Sequence, residues 1–172
     1  MINLYYADEC RVCLQPVVPY GWQFEGEDVF MPSSHNPGLN CFGLLSRDND
    51  LIFETTTNNI TADFIAQQLD QLSLSLDKDT VVVLDNAKVH TAKLIQKHRP
   101  IWEARGLTLF FLPPYSPQLN LIEILWRHLK YFWLRPQDYL DFESLCYAVT
   151  LTLAAVGTHL RINFATPVDG MR

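Results

Sequence analysis

The alternation of apolar and polar segments along the chain predicts a mixed α/β fold. Apolar runs bounded by turn residues predict strands at residues 2–7, 11–15, 39–46, 51–56, 80–84 and 107–112. Apolar residues at helical spacing predict helices at residues 61–76, 91–105, 117 or 121 to 134, and 142–160. A β-meander followed by alternating helices and strands is typical of a mixed sheet flanked by helices, so we expect one α/β domain over residues 1–172.

Individual residues sharpen several of these elements. Thr61 is suited to cap the first helix. The β-branched run at 80–84 is typical of a central strand buried on both faces. Gly106 ends the second helix, and Pro113-Pro114 stops the strand that follows it.

The composition is that of an ordinary globular protein. Of the 172 residues, 48% are hydrophobic and 19% are charged, which is enough to build a core without disulfides or metals. Cys10 and Cys13 lack a second pair at zinc-site spacing, so we interpret the four cysteines as reduced thiols. The first residues lack a signal-peptide pattern, and Ser144–Leu160 is too short for a membrane span. We therefore expect a soluble cytoplasmic protein without a membrane partner.

Charge is distributed unevenly along the chain. Thirteen basic and 19 acidic residues give a net charge of −6, which argues against a general nucleic-acid-binding protein. Residues 86–135, however, hold eight basic and two acidic residues. This asymmetry fits a face that binds a polyanion, and it equally fits a solvated pair of basic helices. The basic residues of this segment are Lys88, Lys93, Lys97, Arg99, Arg105, Arg127, Lys130 and Arg135.

Three acids stand where the predicted elements would bring them together. Asp8 follows the first predicted strand, Asp85 follows the strand at 80–84, and Glu123 lies in the third helix. Functional groups collect at strand ends in open α/β sheets, and clustered carboxylates suit Mg²⁺ or Mn²⁺. Two such ions can activate water and stabilise a leaving oxygen at a phosphodiester. Each acid also has an interpretation as an ordinary strand-end, turn or helix-capping residue.

The role of Glu123 depends on where its helix begins. If Asn120 caps the helix, Glu123 reaches back in a capping box. If Ser116 caps the helix and Pro117 takes its first position, Glu123 lies nearly two turns in and can face the site. Glu123 and Arg127 also have the spacing of an i,i+4 ion pair.

Two longer motifs carry a family resemblance. They read Val-Val-Leu-Asp85-Asn86-Ala87-x-x-His90 and Phe-Leu-Pro113-Pro114-Tyr115-Ser116-Pro117-x-Leu119-Asn120-x-Ile122-Glu123-x-x-Trp126. Together with Asp8-Glu9, they resemble the catalytic domain of DDE transposases, in the bacterial insertion-sequence branch of the Tc/mariner superfamily. The resemblance covers most of the chain, and the stretch from Pro113 to Trp126 is its most specific part.

The resemblance implies an RNase H-like fold and a DNA transposase that cleaves and joins strands for an insertion sequence. It implies two Mg²⁺ or Mn²⁺ ions held by the catalytic residues Asp8, Asp85 and Glu123. Asp8 and Asp85 would hold the ions jointly, and Glu123 would complete one site. The substrates would be double-stranded transposon ends and target DNA, bound by a homodimer associated with the nucleoid.

Two departures from the family pattern affect this interpretation. Leu121 stands where members often have proline, which leaves the helix start less fixed. Full-length members carry N-terminal helix-turn-helix modules, whereas here the first motif begins at Asp8. We therefore expect a separate or missing helix-turn-helix module to recognise the transposon ends.

The other motif residues have expected roles as well. His90 either contacts a DNA phosphate or caps the start of a helix. Trp126 is expected in the core, and Tyr115 is expected beside the active site. The expected DNA-binding residues are Lys88, His90, Lys93, Lys97, Arg127 and Lys130.

Two other functions are compatible with these residues. An RNase H-like nuclease would hydrolyse DNA without joining it. A catalytically idle transposase remnant would serve as a dimerisation or DNA-holding module. The presence of all three acids argues against the idle remnant.

Overall fold

A five-stranded mixed sheet forms the centre of the molecule. The computed structural model describes residues 2–17, 25–26, 33–114 and 116–164, so Tyr115 lies outside the described residues. The strands are β1 (Asn3–Cys13), β2 (Gly38–Ser46), β3 (Leu51–Thr56), β4 (Thr80–Leu84) and β5 (Leu107–Phe111). Their order is β3-β2-β1-β4-β5, with β1 antiparallel to β2 and parallel to β4. The predicted mixed sheet is confirmed.

Helices cover both faces of this sheet. They are α1 (Ala62–Leu74), α2 (Lys93–Ala104), α3 (Ile122–His128) and α4 (Phe142–Ala154). On one face, Ile65 of α1 and Trp102 of α2 pack with buried side chains of β1, β2 and β4. On the other face, Leu125 of α3 and Val149 of α4 pack with buried side chains of β1 and β2. The sheet thus has a buried cluster on each face, which fixes its strand ends and the loops that follow them.

The first two predicted strands form a single strand, β1. This strand pairs with β2 from Tyr5 to Cys13, but with β4 only from Asn3 to Tyr6. Asp8 therefore lies inside β1, and the prediction that it follows the strand is wrong. An acid is tolerated there because β4 ends at Leu84 and its pairing with β1 has already stopped.

The third predicted helix is broken into pieces. Pro117–Leu119 forms a 3₁₀ turn, α3 begins at Ile122, and Leu129–Trp133 continues as a π turn. Neither predicted cap forms, because Ser116 Oγ donates to Pro114 O and Asn120 Nδ2 donates to Ala7 O. Glu123 therefore lies in the first turn of α3 rather than two turns into a longer helix.

The last predicted helix, 142–160, ends earlier than expected. α4 stops at Ala154, and Gly157 follows with a φ of 85°. A Cβ at Gly157 would lie 2.5 Å from the carbonyl oxygen of Asn49, so the chain turns tightly against the β2–β3 turn. Among the described residues, no helix has the length and apolarity needed to cross a membrane.

Candidate active site

Two of the predicted acids lie at the edge of the sheet where β4 ends. In the parallel register, Tyr6 of β1 pairs with Val83 of β4. Asp8 and Asp85 each lie two residues further along these chains, so the register brings both aspartates to the same edge. The carboxyl ends of parallel strands are where open α/β sheets place functional groups.

His90 joins two acids at this edge. Its Nδ1 lies 2.6 Å from Asp85 Oδ1, and its Nε2 lies 2.8 Å from Glu9 Oε2. Burial lowers the pKa of His90, but the hydrogen bonds and charges of Glu9 and Asp85 outweigh burial and raise the pKa to about 9. At neutral pH the ring is therefore an imidazolium that donates from both nitrogens. The side chain is fully buried, so it lies between the two carboxylates away from solvent.

Asp8 is surrounded by other acids. It lies opposite Gly43 in the β1–β2 register, on the face that α3 covers. Burial raises the pKa of Asp8 to about 8; a backbone hydrogen bond at Glu9 opposes this rise, and the carboxylates of Glu9 and Glu123 add to it. Protonation of Asp8 is favoured because neighbouring like charges and burial both disfavour its anion.

Glu123 approaches this cluster from α3. The negative charge of Glu123 contributes to the raised pKa of Asp8. The hydrogen bond from Asn120 Nδ2 to Ala7 O, 3.0 Å long, ties the start of α3 to β1 one residue before Asp8. Glu123 also lines a surface cavity of about 720 Å³ along α3. A third acid is thus held at the side of the cluster that faces solvent.

The donor set fits a hard divalent cation. One ligand atom from each of Asp8, Glu9 and His90 lies within 4.8 Å of the other two. The carboxylates supply the hard oxygen ligands that Mg²⁺ and Mn²⁺ prefer. A bound cation would also relieve the repulsion that raises the pKa of Asp8. As placed, His90 is a poor ligand, because both ring nitrogens already face carboxylate oxygens.

The basic residues expected to bind DNA form two groups on opposite faces of the sheet. Lys88 lies in the loop after β4, and Lys93 and Lys97 lie on α2; all three are exposed. Arg127 of α3 and Lys130 of the π turn line the same cavity as the third acid. The structure therefore places these five side chains along two surfaces rather than one.

The two roles expected of His90 do not fit its position. Its buried ring has both nitrogens hydrogen-bonded, so in this arrangement it presents no atom to a DNA phosphate. The cap assignment is wrong, because the N-cap position of α2 is Ala92. Trp126 is buried, as predicted, and its ring packs beneath Gly43.

Sequence reasoning gave Glu9 no role of its own. The available signal was a second acid next to Asp8 and a histidine five residues after Asp85. Side chains alternate between faces along a strand, so sequence alone places Glu9 on the opposite face from Asp8. The loop after β4 folds His90 back to the sheet edge, where His90 is the shared partner of Glu9 and Asp85. This contact is evident only from the structure.

Comparison with known families and proteins gives two sequence matches. A family described as DDE superfamily endonuclease matches residues 3–146. An uncharacterized protein, y4pE/y4sA of Sinorhizobium fredii (strain NBRC 101917 / NGR234), is 28% identical over 81 residues. The aligned region covers 46% of this chain and 56% of that protein, so the chain spans little more than half of this relative.

Solved structures share the fold. The mariner Mos1 paired-end complex with Mg matches with a TM-score of 0.64 and 17% identity, over 89% of this chain and 48% of that chain. The catalytic core domain of BIV integrase matches with a TM-score of 0.54 and 17% identity, over 89% of this chain and 82% of that chain. At these identities the likeness shows the fold alone, and it confirms the RNase H-like architecture.

Proposed function

This chain belongs to the DDE superfamily of endonucleases, and from that premise we propose that it is the catalytic domain of a transposase that cleaves and joins DNA strands. The observation that supports the proposal is the register that brings Asp8 and Asp85 to one sheet edge, together with the contribution of the Glu123 carboxylate to the raised pKa of Asp8. The chain spans about half of the Mos1 chain it resembles, so the activity of the whole protein is part of the proposal.

Each acid has a distinct task in this proposal. Asp8 and Asp85 would hold divalent cations, Mg²⁺ or Mn²⁺, and Glu123 would complete one of two sites from α3. When bound, such cations supply positive charge that neutralises the phosphate and stabilises developing negative charge on oxygen. Asp8, with its raised pKa, must release its proton before it can serve as a ligand.

The cavity along α3 is suited to a DNA backbone. Arg127 and Lys130 line it together with Glu123, so two cationic side chains stand beside the proposed catalytic acid. Lys130 also approaches the buried thiol of Cys10, which lies two residues after Asp8 in β1. Phosphate contacts from such residues fix the position of DNA without reading its sequence.

The comparison with the Mos1 complex also supports a proposal about the partners of this chain. We propose a homodimer that pairs two DNA ends, and a helix-turn-helix module outside the catalytic fold that recognises them. The support is that the Mos1 structure is a paired-end complex whose chain is about twice as long as the matched region. From the motif resemblance we further propose that the chain belongs to an insertion sequence and acts on its DNA substrates at the nucleoid.

A joining assay tests the proposal. We expect the protein with Mg²⁺ or Mn²⁺ to nick a supercoiled plasmid and to join to it a labelled duplex that carries a free 3′-hydroxyl. Asp85→Asn should abolish both products, because it removes one anionic cation ligand while keeping the side-chain volume. Asp48→Asn, in the exposed β2–β3 turn, is the matched control and should leave both products intact.

The outcomes separate the alternatives. Nicked plasmid without joined product would indicate a nuclease that only hydrolyses DNA. Neither product, from a folded wild-type protein that binds duplex DNA, would indicate an idle remnant. Either outcome would contradict the transposase proposal.

A further inference from the structure

The buried ring of His90 connects two elements at the sheet edge where Asp8 and Asp85 lie, the candidate active edge of the molecule. It belongs to the loop after β4, its Nδ1 meets Asp85 at 2.6 Å, and its Nε2 meets Glu9 of β1 at 2.8 Å. The ring has no solvent exposure. A buried ring of this kind keeps its position because both of its nitrogens have hydrogen-bond partners.

The contact with His90 fixes the orientation of Asp85. Asp85 Oδ1 accepts from the backbone N–H of Ala87 at 2.9 Å and from His90 Nδ1 at 2.6 Å. These two bonds engage a single carboxylate oxygen and set the plane of the group. The Asp85 side chain is 46% exposed, so its second oxygen is the one suited to meet a cation from the solvent side.

Glu9 holds the far side of the same ring. Its side chain is only 23% exposed, and it follows Asp8 directly in β1. Glu9 is therefore next in the backbone to one proposed cation ligand, Asp8. Through His90 it is also connected to the other proposed ligand, Asp85. This link spans the gap between β1 and the end of β4 beyond their last register pair, Tyr6 with Val83.

We propose that Glu9 and His90 are positioning residues that lock Asp85 against β1, so that Asp8 and Asp85 are preset to share a divalent cation. The inference rests on the proposed function, because it takes Asp8 and Asp85 as the cation ligands. Glu9 and His90 act through Asp85 and do not touch the substrate. Partners that orient a metal ligand commonly contribute 10–100-fold, roughly, to metal affinity.

Mn²⁺ affinity, measured by calorimetry on the full chain without DNA, tests the inference. We expect Glu9→Ala to weaken Mn²⁺ binding about tenfold or more, because it removes the acceptor at Nε2. Glu9→Gln keeps an acceptor of the same shape without the charge, and it should stay within about threefold of wild type if orientation is what matters.

Two substitutions of His90 each preserve the contact of only one ring nitrogen. The amide of Asn reaches the position of Nδ1, so His90→Asn can still donate to Asp85. The amide of Gln reaches the position of Nε2, so His90→Gln can contact Glu9 only. We expect His90→Gln to weaken Mn²⁺ binding more than His90→Asn. The double variant Glu9→Ala, His90→Gln should be no weaker than His90→Gln alone, because Glu9 acts through His90.

Control variants show whether the effect is specific to this link. Glu54→Gln removes an exposed acid from β3, and His98→Gln removes a half-buried imidazole that stacks on Trp102. Both should bind Mn²⁺ like wild type. Thermal melts of every variant confirm that the protein is folded, and Glu9→Gln, the mildest change, keeps the test valid if a His90 variant unfolds.

The results distinguish this inference from the proposed function. Mn²⁺ affinity within twofold of wild type in both Glu9→Ala and His90→Gln would overturn the inference alone. A wild-type protein that binds Mn²⁺ but neither nicks nor joins DNA would overturn the proposed function and leave the inference to be judged on the affinities. A wild-type protein that binds no Mn²⁺ would overturn both.

Discussion

At the scale of single residues, the active edge holds two ionisable groups in opposite situations. His90 is buried as a cation, and the carboxylates of Glu9 and Asp85 compensate for its lost hydration. Asp8 is largely buried beside further carboxylates, so its anion is disfavoured and its pKa rises to about 8. Strongly shifted pKa values of this kind are typical of functional sites. Ionisation of Asp8 therefore destabilises the folded protein.

We expect Asp8→Asn to be more stable than wild type above neutral pH when no cation is added. In the folded protein the pKa of Asp8 is raised to about 8. In the unfolded chain the pKa of an aspartate is about 4. Between these values the folded protein binds more protons than the unfolded chain, so wild-type stability falls as the pH rises from about 4 to about 8. Asparagine does not titrate, so the variant's advantage in melting temperature should grow across this window.

Melting curves with and without Mg²⁺ complete this test. Mg²⁺ should raise the melting temperature of wild type by linkage, since it binds the folded acid cluster, and the rise should be lost in Asp8→Asn. Asp48→Asn serves as the control and should follow wild type. A melting temperature of wild type that does not respond to millimolar Mg²⁺ would contradict the prediction.

At the scale of elements, the short helix α3 depends on its neighbours to position Glu123. α3 has only seven residues, too few to be stable alone. Asn120 anchors its start to β1, and its inner face lies directly against β2 at Gly43. An added Cβ at Gly43 would lie 3.0 Å from Ile122 Cδ1 and 3.0 Å from the ring of Trp126. The absence of a side chain at Gly43 thus sets how close α3 comes to the sheet.

We expect Gly43→Ala to push α3 outward and to lower both stability and cleavage. Overpacking of this kind costs roughly 1–3 kcal/mol of unfolding free energy, and a shift of Glu123 impairs the site. Urea unfolding and plasmid nicking measure the two effects. Ile122→Val removes the Cδ1 atom that the new methyl would meet.

The double variant Gly43→Ala, Ile122→Val should therefore recover part of the lost stability. Ile122→Val alone, which opens a small cavity, is the control and should cost about 0.5–1.5 kcal/mol. Wild-type stability and nicking in Gly43→Ala would show that the approach of α3 to β2 does not position Glu123.

At the scale of the whole molecule, the sheet separates two groups of basic side chains. Lys93 and Lys97 project from the layer of α1 and α2, whereas Arg127 and Lys130 belong to the layer of α3 and α4. The active edge lies where the β4–α2 loop leaves the sheet, between these layers. We expect a duplex bound at the acids to contact cations from both layers.

We expect charge reversal in either layer to weaken duplex binding. Lys93→Glu with Lys97→Glu, and Arg127→Glu with Lys130→Glu, should each reduce affinity and flatten its salt dependence, because log K falls by about 0.9 per phosphate neutralised. Mobility shifts over a range of salt concentrations measure the slope. Lys78→Glu, an exposed lysine beside Asp77, is the control. Unchanged binding in one double variant would remove that layer from the DNA path.

We also expect this chain to bind duplexes with little sequence preference. Its expected DNA contacts are lysines and arginines directed at phosphates, whereas sequence readout needs side chains that reach base edges in a groove. Terminal-repeat and scrambled duplexes should bind within a few-fold of each other at physiological salt. A hundredfold preference for one sequence would indicate that an element of this chain reads bases directly.

Local sequence patterns were sufficient to predict the mixed sheet and the order of most of its elements. Apolar periodicity identified α1, β4 and β5 close to their observed bounds, because those segments are local patterns with clear start and stop signals. Short motifs also led to the prediction that Asp8, Asp85 and Glu123 are the catalytic acids. Predictions from local patterns were wrong where long-range contacts determine the local structure. β1 continues through Asp8 because β2 pairs with it from Tyr5 to Cys13, and Asn120 donates to β1 instead of capping a helix.

The surroundings of the acids depend on long-range contacts of the folded chain. His90 and Glu9 are 81 positions apart in sequence, and no periodicity relates a loop histidine to a distant strand acid. The fold joins them because the parallel register of β1 and β4 carries both chains to one edge, where the loop turns back beneath it. The basic side chains of residues 86–135 are likewise divided between the layer of α1 and α2 and the layer of α3 and α4. This division depends on which face of the sheet each helix covers. Sequence spacing alone does not give that choice for α2, because the face that a right-handed crossover helix covers depends on the order of the strands in the sheet.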